Sequence, residues 1–306
     1  MILVTGGTGL VGTALKNIIP EAYFLSSKEC DLSNFDKTIS LISDLKPSKI
    51  IHAAAKVGGV KNNSENNGVF FRDNILINTN VLESARLANV GTVCSLMSTC
   101  VYPDDATYPL REENIHNGEP HPSNFGYAYA KRMIEVQSRS YRQQWGCNYF
   151  CIVPNNLYGI NDNFHLDDSH VIPAMIRKIY EAKLNNSTVT LWGDGTPLRE
   201  FTFSADIAEL IVELLDSYNS SDILNVGNES EVSIKEVAET ICTIFDFNKD
   251  KIIWDTSAPS GQYRKPSDHK RVKRLSNFEY TSLQDGLIKT CNWFKNTYPT
   301  IRGYNG

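Results

Sequence analysis

The chain has 306 residues, of which 41% are hydrophobic and 21% charged, and a net charge of −5 at neutral pH. That length and composition suit a soluble globular protein built as one large domain or two closely joined ones. The acidic balance argues against a general nucleic-acid binder, and no run approaches the about 18 apolar residues of a membrane span.

Met1-Ile2-Leu3-Val4 is a short apolar run that ends in Thr5-Gly6-Gly7-Thr8-Gly9-Leu10-Val11-Gly12. Helical spacing follows through Ala14, Leu15, Ile18 and Ile19, and Pro20 stops it. Ala22–Leu25 reads as a second strand, Ile39–Leu45 as a helix and Lys49–Ala53 as a third strand. Phe70–Ala88 has helical periodicity, Thr92–Met97 reads as a strand, Asn124–Trp145 as a helix and Asn148–Val153 as a fifth strand. Strands alternating with helices predict an α/β fold, a doubly wound parallel sheet of Rossmann type with right-handed crossovers.

After Pro154 the alternation loosens. Val171–Ala182, Ser204–Leu215, Ser233–Phe245 and Ser282–Tyr298 read as helices, and Thr188–Trp192, Ile223–Val226 and Lys251–Trp254 as strands. The expected division is a cofactor-binding domain of residues 1–160 plus about 200–227, interwoven with a smaller substrate lobe of about 161–199 plus 228–306. Seven cysteines, an odd number with no C-x-x-C, predict free thiols in a reducing compartment. The glycine turn begins at Gly6 and leaves no room for a secretory leader, so a cytoplasmic location is expected.

Gly6, Gly9 and Gly12 form G-x-x-G-x-x-G between a strand and a helix. Such a turn lets a pyrophosphate approach the backbone at a helix N-terminus, which points to dinucleotide binding. NAD sites place an acid on the ribose about 20 residues later. Here that point reads Leu25-Ser26-Ser27-Lys28, whose hydroxyls and cation suit a 2′-phosphate and hence NADP. Glu29 argues the other way, and Lys28 also reads as a plain solvated loop charge.

Tyr127 and Lys131 lie four residues apart and so share a helix face. An ammonium beside a phenol favours the phenolate, which fits proton exchange coupled to hydride transfer. Tyr129 is a rival phenol but faces away from Lys131. Ser98 follows the fourth strand, where short polar side chains meet ligands, although a simple cap is its bland alternative. A metal reading of His165-Leu166-Asp167-Asp168-Ser169-His170 is disfavoured, because the histidines fall five apart with no supporting ligand motif.

Thr5–Gly12, Asp31-Leu32, Ala53-Ala54-Ala55, Asn74, Ser98-Thr99-Cys100, Tyr127 with Lys131, Pro154–Gly159 and Arg199-Glu200-Phe201 resemble the extended short-chain dehydrogenase/reductases that act on nucleotide sugars. The resemblance covers nearly the whole chain. Ala53–Gly59, Ser98–Pro103 and Asp162–His165 with Ser169–Pro173 are most similar to the GDP-L-fucose synthase family, the 3,5-epimerase-4-reductases.

The resemblance implies NADP(H) bound by Gly6, Gly7, Thr8, Gly9, Leu10, Val11, Gly12, Ser27, Lys28, Asp31, Leu32, Ala53, Ala54, Ala55, Asn74, Lys131, Pro154, Asn155, Asn156, Leu157 and His170. It implies Ser98 and Tyr127 on the substrate's C4 oxygen, with Lys131 on the nicotinamide ribose. Cys100 is implied as the base and His170 as the acid for inversion beside the 4-keto group. Thiols and imidazoles titrate close enough to neutrality for that work, although a lone Cys100 reads as a small buried hydrophobe. Lys178, Trp192 and Arg199 match positions that hold the GDP portion, and Trp192 also reads as core. Departures are Asn155 where threonine is common, Ile160 where proline is common and Lys178 where arginine is frequent. The implied partner is a GDP-sugar substrate, with a homodimer formed through paired helices and no metal. A UDP-sugar 4-epimerase or 4,6-dehydratase on the same scaffold, and a non-catalytic NADP sensor, remain as rivals.

Overall fold

A computed structural model describes residues 1–257 and 263–304. In chain order its elements are β1 (Ile2–Thr5), α1 (Leu10–Ile18), β2 (Tyr23–Leu25), α2 (Phe35–Leu45), β3 (Lys49–His52), α3 (Val60–Glu65), α4 (Asn67–Leu87), β4 (Thr92–Leu96), α5 (Phe125–Trp145), β5 (Asn148–Pro154) and β6 (Asn156–Tyr158). Then come α6 (Val171–Leu184), β7 (Val189–Trp192), β8 (Leu198–Phe203), α7 (Ser204–Ser217), β9 (Leu224–Val226), β10 (Glu231–Ser233), α8 (Ile234–Phe245), β11 (Ile252–Asp255), α9 (Lys270–Lys273) and α10 (Leu283–Thr297).

Six strands form one sheet in the order β2-β1-β3-β4-β5-β9, and every neighbouring pair is parallel. Parallel strands are covered on both faces, which is why they read as apolar runs rather than alternations. Along each strand, successive side chains serve opposite faces. Leu3, Ile50, Val93, Tyr149 and Val153 pack with Ile42, Val81 and Ile134 of α2, α4 and α5. Val4, Ile51, Cys94, Phe150 and Ile152 pack with Leu15, Ile207 and Ile211 of α1 and α7. From β1 the chain turns to β2 on one side and then returns to β3 on the other. That reversal leaves a crevice beyond the carboxyl ends of β1 and β3, where open α/β sheets bind ligands.

A three-stranded sheet β10-β8-β6 and a parallel pair β11-β7 lie outside the main sheet. They pack with α6, α8 and α10 around a third apolar cluster that includes Tyr158, Phe164, Phe201, Ile241 and Phe294. Helix ends follow their local sequence: Asn34 caps α2 through Lys37 N–H, Ser233 and Glu236 form a capping box on α8, and Gly146 ends α5 at φ 70°. Three elements escape periodicity analysis for a simple reason: β6 and β10 are three residues long and α3 six, too short to show a period. β8 is longer, but both ends of Leu198–Phe203 carry large apolar residues around Arg199 and Glu200, which masks its alternation. No helix of the described residues is long and apolar enough to cross a membrane.

Candidate active site

The glycine turn joins β1 to α1 at the crevice. Gly6 has φ 69°, and a Cβ there would lie 2.9 Å from the Ala53 carbonyl carbon. A Cβ on Gly12 would lie 2.4 Å from Gly6 O, so Gly12 lets α1 pack beneath the turn. A Cβ on Gly9 would meet only Gly6 O, at 3.2 Å, so this glycine keeps the approach to the helix N-terminus open. The first turn of α1 carries no acidic residue. This cradle of N–H donors fits a pyrophosphate.

A cavity of about 740 Å³ extends from this turn. Its walls include Gly6, Thr8, Gly9, Leu10, Val11, Gly12, Ser27, Asp31, Leu32, Ala53, Ala54, Ala55, Ser98, Tyr127, Pro154, Asn155, Asn156, Leu157 and His170. Gly7 and Asn74 stand behind the wall. Gly7 N–H donates to Leu25 O at 2.9 Å and pins the turn to β2. Asn74 is fully buried; it accepts from Lys56 N–H at 2.9 Å and donates to Lys56 O at 3.0 Å, which shapes the loop after Ala55. Glu29 folds back and accepts from Ser26 N–H at 2.9 Å, and this bonding holds its carboxyl below the usual range. Lys28 stays exposed beside Ser27, with no ion pair among the described residues.

Ser98, Cys100, Tyr127 and Lys131 come together beside β4. A 3-10 turn, Thr99–Val101, follows Ser98 and carries Cys100. Burial pushes the thiol up, while Ser98 and the ammonium groups of Lys265 and Lys131 pull it down. Burial also pushes the Tyr127 phenol well above its ordinary value, and Cys100 adds to this. Lys131 Nζ donates to Leu96 O at 2.8 Å, and burial lowers its pKa to about 8. The Lys131 ammonium is turned to a backbone carbonyl, and desolvation is the main influence on the Tyr127 phenol, favouring its protonated form. A protonated phenol is a proton donor, which is the role that reduction of a ketone requires.

His170 precedes α6 and lines the cavity as a solvent-exposed residue; desolvation within the crevice lowers its pKa, opposed by Asp168. Asp168 Oδ1 accepts from Gly59 N–H at 2.8 Å and Asn62 Nδ2 at 3.0 Å, tying the His170 loop to the Ala53–Gly59 loop. The ring of His165 instead accepts from the backbone N–H of Asp167 and Asp168, both at 3.2 Å, as a turn acceptor.

Lys178, Trp192 and Arg199 do not line this cavity. Trp192 is 59% exposed, which removes its core reading, and Lys178 Nζ lies 5.7 Å from its ring centroid. Arg199 donates to Leu198 O at 2.7 Å. Sequence reasoning missed Lys265, whose charge is felt by both Cys100 and Arg199. It also missed a buried relay in which Thr5 and His52, register partners on β1 and β3, bond at 2.8 Å. Asn78 joins His52 at 3.1 Å and donates to Ala130 O at 3.2 Å, beside Lys131. Burial drops the His52 pKa to about 3, so its ring is neutral. Polar residues at the ends of adjacent apolar strands were the available signal for Thr5 and His52; Lys265 had none.

Residues 2–227 match the model of the NAD dependent epimerase/dehydratase family. The chain is 44% identical to GDP-L-fucose synthase from Dictyostelium discoideum, over 98% of this chain and 97% of the relative. It is 40% identical to probable GDP-L-fucose synthase from Drosophila melanogaster, over 98% and 99%. The crystal structure of a GDP-L-fucose synthetase from Naegleria fowleri bound to NADP superposes with a TM-score of 0.94 at 36% identity, covering 98% of this chain and 94% of that one. The chain belongs to the NAD-dependent epimerase/dehydratase family and, within it, to the GDP-L-fucose synthases.

Proposed function

We propose that this protein converts GDP-4-keto-6-deoxy-D-mannose to GDP-L-fucose, by epimerisation at C3 and C5 and NADPH-dependent reduction at C4. The observation that carries this reading is the meeting of two proton-handling sets on one cavity. Ser98 and Tyr127 lie on its wall, Cys100 stands two residues beyond Ser98 on the turn that follows it, and His170 opens onto the same space.

The division of work follows from chemistry. Protons beside a ketone are acidic because the resulting carbanion is an enolate. The Cys100 thiolate takes a proton from C3, the carbonyl oxygen gathers the charge, and the His170 imidazolium returns a proton on the opposite face; once solvent has taken the proton from sulfur and given one to the imidazole, C5 follows the same course. Ser98 and Tyr127 hold the C4 oxygen, and Tyr127 gives that oxygen its proton at the end. NADPH supplies the hydride to C4. The glycine turn, Ser27, Lys28, Ala53–Ala55, Asn155–Leu157 and Lys131 would hold that cofactor, with Asn74 shaping its loop. Lys178, Trp192 and Arg199 would hold the guanine and phosphates.

The strands of the main sheet all come from Ile2–Val226, which supports residues 1–160 with about 200–227 as the cofactor-binding domain and the remainder as the substrate lobe. Exposed Phe71, Leu76 and Leu87 on α4 and Phe125 and Trp145 on α5 support a homodimer through those helices. Seven free cysteines support a cytoplasmic location.

Net NADPH oxidation with the GDP-keto sugar, and none with its UDP counterpart, is the expected assay result. Turnover of a UDP-sugar without net oxidation would identify a 4-epimerase or dehydratase instead. Cofactor choice is tested by Lys28→Glu. Replacing an exposed cation beside the 2′-phosphate by an anion should cut the preference for NADPH over NADH about tenfold, read from the two dissociation constants. An unchanged ratio would remove Lys28 from the cofactor site.

A further inference from the structure

The pyrophosphate cradle of this chain carries no cation of its own: Thr5 to Thr13 contains only threonine, glycine, leucine and valine. A dinucleotide's pyrophosphate brings two negative charges to that turn, so a cationic side chain is to be sought on the wall facing it. The wall is traceable residue by residue. Asn161 Nδ2 donates to Thr8 O at 3.3 Å and to Thr13 Oγ1 at 2.8 Å, which seats the loop after β6 directly on the glycine turn. Three residues on, Phe164 N–H donates to Arg302 O at 2.9 Å. Arg177 Nη1 then clamps Phe164 O and Gly303 O, each at 3.0 Å. Gly303 has φ 80°, and a Cβ there would lie 2.2 Å from Asn163 Oδ1, so the tail is fitted closely against this loop. The tail thus brings Arg302 to the wall of the same cavity as Gly9, Leu10 and Asp162.

We infer that Arg302 is a cofactor-binding residue, supplying from the chain's C-terminal segment the cation for the pyrophosphate at the glycine turn. The side chain is exposed, and it forms no ion pair among the described residues. Asp162 feels the Arg302 charge but forms no ion pair with it. Asp162 is buried, its Oδ2 has no partner among the described residues, and burial raises its pKa to about 7. Arginine suits the task because its planar fork meets phosphate oxygens in pairs. The inference rests on the NADPH reading above and extends it to a residue outside the nucleotide-binding motifs.

The test is a fluorescence titration of the full chain and its Arg302→Ala, Arg302→Gln and Arg302→Lys variants. Three ligands are compared: NADPH, 2′-phospho-ADP-ribose, which keeps the pyrophosphate, and adenosine 2′-monophosphate, which lacks it. Arg302→Ala should weaken the first two by about 10- to 100-fold, the range of a charge-assisted hydrogen bond, and leave the third unchanged. Arg302→Lys should recover part of the loss, and the salt dependence of NADPH binding should flatten in the Ala variant. Unchanged NADPH binding in both the Ala and Gln variants, with or without a lowered melting temperature, overturns the inference. So does an equal loss for all three ligands. A wild-type chain that binds no NADPH overturns the cofactor reading as well, which separates the two failures.

Discussion

Cys100→Ser is expected to lower proton exchange at C3 and C5 by about 10²- to 10⁴-fold while leaving NADPH affinity unchanged. The oxygen of serine is a far weaker base than a thiolate, since its proton is held much more tightly. The shape change is small, and Cys100 does not line the cavity wall, so the cofactor surface is preserved. NADPH oxidation that survives in the variant should yield a sugar whose C3 and C5 retain their original configuration. A variant with wild-type exchange would move the base to another residue. The pH profile is a second reading of the same pair. Burial raises Cys100 and desolvation lowers His170, so at neutral pH in the resting chain the thiol is protonated and the imidazole neutral. The productive form, thiolate with imidazolium, then stays a constant fraction between the two pKa values. Exchange should stay flat across neutrality, falling only on the acid side of the ordinary imidazole range and on the alkaline side of the ordinary thiol range.

Tyr127→Phe should cost about a thousandfold in C4 reduction and far less in C3 and C5 exchange. In the proposed mechanism the phenol gives the C4 oxygen its proton, and burial favours its protonated form. Removing its hydroxyl leaves Ser98 as the remaining donor on that wall, enough to hold an enolate oxygen but without an acidic proton to deliver. Single-turnover NADPH oxidation measured alongside deuterium incorporation separates the two steps. Equal losses in both would show that Tyr127 serves binding rather than the final protonation.

Much of this site was legible in the chain. The glycine turn announced its own geometry because a Cβ would clash with Ala53 at Gly6 and with Gly6 O at Gly12. Tyr127 and Lys131 were visible because helical spacing fixes their shared face. Spacing says nothing of the Leu96 carbonyl that takes the Lys131 ammonium. Glu29 was ambiguous as letters; the fold shows it spent on Ser26. Arg302, which lines the cavity, and Lys265, whose charge is felt at Cys100, were invisible because each comes from an irregular segment, where no periodicity orients a side chain. Thr5, His52 and Asn78 come from three separate elements, and only the parallel register of β1 and β3 makes them one network.

The central claim is that one cavity performs proton transfers at C3 and C5 before the hydride step. Its most direct test is incubation of the wild-type protein with GDP-4-keto-6-deoxy-D-mannose in deuterium oxide without NADPH, read by mass spectrometry and NMR. The account predicts deuterium at both C3 and C5 with no reduction at C4. Recovery of sugar unlabelled at both carbons would contradict it.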